Sequence, residues 1–504
     1  MTPPTEQRPH LTRRQTVLLI ASLMLGMALA ALDSTIVGTA MPTIVATLGG
    51  LALYSWVVSA YLLTSTTTVP LYGRLADLYG RKPVFLFGIA VFLLGSALCG
   101  LARTMEALIA FRAVQGLGAG AVQPMAMTII GDAFGIERRA KMQGFFAAVW
   151  GASSVVGPAL GGVIVTYLAW GWIFYVNVPV GLAAIAMLAA NYHEKVEHQR
   201  RSVDWLGALL LTAGVSVLLL ALQEVGQAGG ARRGSGLLVA ALALLTVFVV
   251  NEARVAEPIV PLHLFRQRVI GVGYLATFVA GATQFGVSSY VPLFVQGAMG
   301  GSALSVGAVL APMTIAWPIA SITSGRLILK LGYRPPLIAG MAATVVGCLG
   351  LLLLHPAASQ AQITATVALI GAGMGLTSSP LIIAIQGAVA WNQRGIATSL
   401  NQFARTIGGS FGVALMGALL NFELGRGLQT SDVDALVSQV LDPVARTALD
   451  PAFLEHVRIL LALVLREAYA IPIVCSAAGF LLVVLKFPRG SVHQLAAVPA
   501  SVGE

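Results

Sequence analysis

Apolar stretches of about 17–25 residues, each long enough to cross the hydrocarbon core of a bilayer as a helix, follow one another along nearly all of this 504-residue chain. Fourteen can be traced, at residues 16–40, 53–72, 83–102, 106–131, 142–166, 170–190, 204–223, 235–251, 269–296, 303–328, 335–355, 362–389, 395–421 and 468–487. Backbone in lipid must satisfy its own hydrogen bonds, so runs of this kind leave helices as the available structure. Only 10% of residues are charged, against roughly 25% in soluble domains. The expected fold class is an all-α polytopic membrane protein.

The remaining charges lie mostly in the connections. The formal net charge of +10 therefore reads as a topology signal and not as a nucleic-acid surface. Arg13 and Arg14; Arg74, Arg81 and Lys82; Arg138, Arg139 and Lys141; Lys195, Arg200 and Arg201; Arg254, Arg266 and Arg268; Arg326, Lys330 and Arg334; Arg394; and Lys486 with Arg489 fall on alternate connections. Positive-inside then places both termini in the cytoplasm of a bacterial-type cell (inner) membrane. Arg13-Arg14, the apolar run after them and Ala28-Leu29-Ala30 have the outline of a signal peptide. Cleavage there would put the charge pattern out of phase, so this segment reads as the first span.

Residues 422–467, on the outer side, mix charged and apolar residues. Val433, Leu436, Val437, Val440 and Leu441 recur at helical spacing, which predicts one or two amphipathic helices near the interface. Cys99, Cys348 and Cys475 sit at unrelated spacings and read as packing residues. The seven histidines show no metal-ligand spacing, and no phosphate-cradling Gly-x-x-x-x-Gly-Lys-Ser/Thr is present. Neither an enzyme nor a cofactor is expected.

An internal repeat organises the spans. Gly73-Arg74-Leu75-Ala76-Asp77-Leu78-Tyr79-Gly80-Arg81-Lys82-Pro83 aligns without a gap on Gly325-Arg326-Leu327-Ile328-Leu329-Lys330-Leu331-Gly332-Tyr333-Arg334-Pro335. Gly116 to Gly120 with Pro124 is echoed by Gly371 to Gly375 with Pro380. Repeated halves are a mark of secondary transporters, whose substrate site lies near mid-membrane. The expected division is a tail at 1–15, a six-helix bundle at 16–200, two added helices at 201–265, a second six-helix bundle at 266–490 and a tail at 491–504.

These motifs together resemble a fourteen-span drug:proton antiporter of the major facilitator superfamily. The resemblance rests on Leu32-Asp33-Ser34-Thr35-Ile36-Val37 through Met41-Pro42 in span 1, Gly73 to Lys82 between spans 2 and 3, and Arg112-Ala113-Val114-Gln115-Gly116-Leu117-Gly118-Ala119 in span 4. It also rests on Gly151 with Gly157-Pro158-Ala159-Leu160-Gly161-Gly162 in span 5 and on Trp172 to Pro179 opening span 6. The second loop copy departs from the pattern, with Leu329 where the first has Asp77. No buried acid is found in the second half, which argues against dicationic substrates.

Asp33 is the only formally charged residue between Arg14 and Arg74, and intramembrane ionisable groups are functional by default. Burial disfavours a carboxylate anion, so Asp33 can carry a proton; Arg112, midway along span 4, is its natural counter-ion. The pair reads as a proton-coupling device in preference to a fixed brace. Following the resemblance, Gly73, Asp77, Gly80, Arg81 and Lys82 form a conformational latch, which Glu137, Arg138 and Arg139 can join. Gly151, Gly157, Pro158, Gly161 and Gly162 form the antiporter motif, a small-residue face for a rocking interface. Gly408, Gly409 and Gly412 look similar. Gln115, Gln123, Gln284, Tyr290, Trp317, Gln386, Asn401, Phe403 and Arg405 are candidate cavity groups; Arg405 either meets water or a substrate anion, or bonds a carbonyl near the cytoplasmic end.

The functional expectation is a proton-coupled exporter of amphiphilic small molecules such as drugs, working by alternating access. The alternative is a dedicated exporter of one metabolite, lipid or fatty acid with the same coupling. Partners are the substrate, protons and the bilayer; a periplasmic adaptor is possible but no residue demands it.

Overall fold

The computed structural model describes residues 12–49, 53–192, 194, 204–225, 230–301, 303–354, 359–428, 440 and 450–489. These form α1 (Arg13–Leu48), α2 (Tyr54–Tyr79), α3 (Arg81–Gly100), α4 (Met105–Ala133), α5 (Ile136–Tyr167), α6 (Trp172–Tyr175), α7 (Asn177–Asn191), α8 (Trp205–Val225) and α9 (Ala231–Glu252). Then come α10 (Arg268–Leu293), α11 (Ala303–Leu331), α12 (Arg334–Leu352), α13 (Gln360–Gly387), α14 (Arg394–Leu428), α15 (Pro451–Ala468) and α16 (Ala470–Lys486). No strand occurs among the described residues.

Thirteen helical stretches among the described residues are long and apolar enough to cross a membrane. α2 is the fourteenth member of the series; its run Thr64-Ser65-Thr66-Thr67-Thr68 dilutes its hydropathy. Those hydroxyls do not break the helix because they bond back to it: Thr68 Oγ1 donates to the Thr64 carbonyl at 2.8 Å. α1 begins at a capping box, in which Thr12 and Gln15 satisfy each other's first-turn donors. α6 and α7 are one span interrupted at Val176.

The chain divides into two compact units. The first holds Met1–Thr212, Glu252–Pro261 and Ile385–Phe403; the second holds Ala213–Asn251, Leu262–Ala384 and Ala404–Glu504. This division cuts across the sequence halves: residues 385–403 belong to the first unit, and the added helices form no unit of their own. Phe85, Ile89, Phe92, Met125 and Ile129 lie at the core of the first unit. Phe294, Ile370, Leu461, Leu465 and Tyr469 lie at the core of the second.

The repeat is visible in backbone and packing as well as in sequence. The α2–α3 turn needs a left-handed residue and has Gly80 at φ 98°; the α11–α12 turn has Gly332 at φ 80°. In the first unit, a Cβ on Gly118 would lie 2.2 Å from the Phe92 nitrogen, where α4 crosses α3. In the second, a Cβ on Gly373 would lie 2.3 Å from Thr344 Oγ1, where α13 crosses α12. The antiporter-motif glycines behave unequally: a Cβ on Gly157 would meet Thr35 Oγ1 at 2.0 Å and one on Gly161 the Ile36 carbonyl at 3.1 Å, whereas Gly162 has open space. Gly408 and Gly412 press α14 onto α10 in the same way, 2.0 Å from the Phe278 carbonyl and 2.4 Å from that of Ala282.

The expected amphipathic segment is partly placed. α14 continues to Leu428, and α15 turns Val457, Leu461, Val464 and Leu465 inward. Val440 is buried; Val433, Leu436, Val437 and Leu441 lie outside the described residues.

Gly118→Val is expected to destabilise the detergent-solubilised protein by about 1–3 kcal/mol, the usual cost of overpacking. Gly162→Ala, which enters open space, is the matched control. A thermal-unfolding midpoint unchanged by Gly118→Val would contradict the packing described for α3 and α4.

Candidate functional site

Asp33 lies in α1 with no solvent exposure, and three side chains donate to it. Arg112 Nη1 of α4 reaches Oδ2 at 2.6 Å, while Gln115 Nε2 and Asn177 Nδ2 reach Oδ1 at 2.8 and 3.1 Å. Gln115 is one turn after Arg112 on the same helix, so α4 presents charge and amide together. Asn177 opens α7 just after the interruption in the span, and also donates to Ser96 Oγ at 3.0 Å.

Arg112 does not depend on Asp33 alone. Its Nε donates to the Val57 carbonyl of α2 at 3.2 Å and its Nη1 to Gln115 Oε1 at 2.6 Å. Its guanidinium carbon stands 4.2 Å from the centre of the Tyr61 ring, a cation–π placement. Charge, hydrogen bonds and aromatic face thus tie α1, α2, α4 and α7 at one point. Gln115, expected from the sequence to line a cavity, is instead fully enclosed in this network.

A second ionic cluster sits where α2 meets α3. Asp77 accepts the backbone N–H groups of Gly395 and Ile396, both at 2.8 Å. A carboxylate on the first-turn amides of a helix is favoured by the free donors and by the helix dipole. Gly73 and Gly395 allow the approach: a Cβ on Gly395 would fall 2.6 Å from Asp77 Oδ1, and one on Gly73 2.9 Å from the Gly395 carbonyl. Arg81, unexposed, donates through Nη2 to Asp77 at 3.1 Å and to the Trp391 carbonyl at 2.5 Å, and lies 3.8 Å from the Trp391 ring centre. Its Nε faces Asp132 Oδ2 at 3.1 Å. Arg394 completes the ring, 3.3 Å from Asp132 Oδ1.

Lys82 turns the other way. Its N–H donates to Glu194 at 2.9 Å and its ammonium to the carbonyls of Ala189 and Tyr192 at the end of α7. Burial pushes the Glu194 carboxyl up from its ordinary range, opposed by the backbone bond from Lys82 and the charge of Arg81. Arg74 pairs with Glu257. Arg139 is buried and bonds the Phe134 carbonyl at 2.8 Å, whereas Glu137 and Arg138 are exposed and stand outside the cluster.

The candidate cavity residues separate. Gln284, Trp317 and Arg405 line one small cavity within the second unit. Tyr290 donates to the Val413 carbonyl at 3.0 Å. In the first unit, Gln123 bonds Gln402 at 3.2 Å, Gln386 bonds the Met127 carbonyl and Thr398, and Asn401 is buried. Phe403 is half-buried.

Asp132, Asn177, Glu194, Trp391, Arg394 and Gly395 join these clusters without being marked as site residues by the sequence motifs. Asp132 and Asn177 carried a signal, as polar groups at the edge of apolar runs. Gly395 acts through its backbone N–H and Trp391 through its carbonyl and ring face, which composition does not mark.

Residues 23–413 match the sequence pattern of the Major Facilitator Superfamily. The chain belongs to this superfamily. It is 43% identical over 410 residues to the multidrug transporter protein MdtP of Bacillus subtilis (strain 168), covering 81% of this chain and 76% of that one. It is 37% identical to multidrug resistance protein 3 of the same organism, covering 80% and 79%. Among solved structures, the proton:xylose symporter XylE superposes with a TM-score of 0.61 at 13% identity, covering 95% of this chain and 97% of that one; this shows a shared fold. Superfamily membership makes the protein a multi-pass membrane transporter, and the thirteen candidate spans together with α2 are consistent with the fourteen-span plan expected above.

Arg112→Ala leaves Asp33 buried without its counter-ion, a loss of about 3–5 kcal/mol. Adding Asp33→Asn is expected to recover a substantial part of it. Additive losses in a double-mutant cycle would show that the two side chains are not energetically paired.

Proposed function

We propose that this transporter exports amphiphilic small molecules in exchange for protons by alternating access, and that Asp33 is the proton carrier. The carrying observation is the enclosed Asp33–Arg112 pair, with Gln115 and Asn177 completing the carboxylate's donors. A proton on Oδ2 competes with the Arg112 N–H held there at 2.6 Å, so protonation goes with withdrawal of Arg112. The arginine has the Val57 carbonyl, Gln115 and the Tyr61 ring to turn to. Loss of the bond loosens α1 from α4, which links a proton to a helix movement.

Two multidrug-named relatives support drug-like substrates. The energy is adequate: each pH unit is worth about 1.4 kcal/mol per proton, and each 100 mV about 2.3 kcal/mol per charge moved. On this reading both termini are cytoplasmic, in a bacterial-type inner membrane. Asp77 and Arg81 then latch the first turn of α14 in one transport state and release it in the other. Gly157 and Gly161 are the small-residue contact along which α5 and α1 shift.

Asp33→Asn is expected to abolish efflux driven by a pH gradient in proteoliposomes while leaving substrate counterflow measurable. Wild-type coupling in that variant would sink the carrier role. Asp77→Ala removes the acceptor for two amides of α14 and is expected to lower turnover more than apparent substrate affinity. An unchanged turnover number would remove the latch.

A further inference from the structure

Between Glu257 and Glu423 the sequence contains no Asp or Glu, yet Arg405 lies within α14, well inside this stretch. It lines the second unit's small cavity together with Thr277, Gln284, Trp317, Thr377 and Ser378. Its guanidinium carbon is 5.8 Å from the centre of the Trp317 ring. Among the described residues, neither this guanidinium nor the Gln284 amide has a hydrogen-bond partner. The hydroxyls are already committed: Thr377 donates to the Gly373 carbonyl at 2.8 Å and Ser378 to that of Met374 at 2.6 Å.

The contrast with Arg112 is chemical. Arg112 has an aspartate, a carbonyl, an amide oxygen and a ring; Arg405 has a ring alone. A guanidinium in an apolar span without a counter-charge is disfavoured, and the nearest acid along its own helix, Glu423, lies about five turns away and pairs with Arg426. The free donors in the cavity are the planar fork of Arg405 and the NH₂ of Gln284, a set that matches a carboxylate. The cavity has room for about one water molecule, so a ligand has to widen it, with Trp317, Met374 and Leu381 as the apolar wall that its body would meet.

We propose that this cavity recognises the carboxylate of an amphiphilic aromatic anion, with Arg405 and Gln284 as donors and Trp317 as the apolar wall. The proposal deepens the export reading above by assigning a substrate class, and rests on it for the role of the bound molecule. An ammonium substrate would meet like charge at Arg405, and a neutral one would leave the guanidinium unmatched.

The test is equilibrium binding to the purified full-length protein at neutral pH, with 2-naphthoate, 2-naphthamide and 2-naphthylmethylamine as probes. The acid is expected to bind about tenfold or more tightly than the amide, as hydrogen bonds to a charged group allow, and the amine more weakly than either. Arg405→Gln should erase the acid–amide difference while amide binding persists, and Arg405→Lys should retain part of it. Equal binding of acid and amide to the wild type would overturn the proposal. So would a preference that survives in Arg405→Gln, or the absence of saturable 2-naphthoate binding. If Arg405→Gln does not fold, the wild-type comparison still decides. The measurement uses no gradient, so its failure and a failure of pH-driven efflux are read separately.

Discussion

A charge inside a bilayer must be matched where it stands, because there is no water to do it. Asp33 shows how complete the matching has to be. One arginine neutralises it, and two amides fill the other oxygen. The arginine in turn needs a carbonyl, an amide oxygen and an aromatic face. Residues of α1, α2, α4 and α7 are therefore committed to one carboxylate. On the function proposed above, a proton arriving at this carboxylate would disturb all four helices, as a coupling group has to.

The same constraint governs the α2–α3 end, with backbone as the partner. Asp77 binds two amides that α14 cannot satisfy by itself, and Arg81 binds a carbonyl and an aromatic ring in the turn before that helix. Trp391, Gly395 and Ile396, the residues these bonds reach, lie in the first unit with Asp77 and Arg81. Gly73 and Gly395 make room for them, so the glycines of this motif serve distance and the charges serve attachment. The second copy of the motif keeps the left-handed glycine, Gly332, and has Leu329 in place of the aspartate. It preserves the turn without the grip.

Much of this was legible in the sequence, and the reasons differ by residue. Span lengths and the repeat were readable because bilayer thickness and helix rise leave little choice. Asp33 and Arg112 stood out because cost marks a charge in an apolar run. Gln115 was misplaced because an amide in a span looks the same whether it faces a cavity or a carboxylate; only the one-turn offset from Arg112 hinted otherwise. Trp391 was missed because its carbonyl and ring face carry the contact, and Gly395 because its N–H does. Glu137 and Arg138 were grouped with the latch by proximity in sequence, but the helix turns them outward while it turns Arg139 in.

Arg81 and Arg112 of the first unit and Arg405 of the second use their charge in opposite ways. In the first, Arg81 and Arg112 have protein carboxylates in place, so incoming charge must compete with an existing ion pair; a proton can do this, because it neutralises the carboxylate instead of replacing the arginine. In the second, no acid occurs between Glu257 and Glu423, and on the reading proposed above the charge of Arg405 is open to an external anion. Proton handling and ligand recognition thus need not share a carboxylate. An exporter arranged in this way avoids direct competition between proton and substrate for Asp33, and any linkage between them must pass through helix movement. The lack of acids between Glu257 and Glu423 is then more than a departure from a polycation exporter. On the proposed reading it leaves a charge asymmetry suited to an anionic substrate.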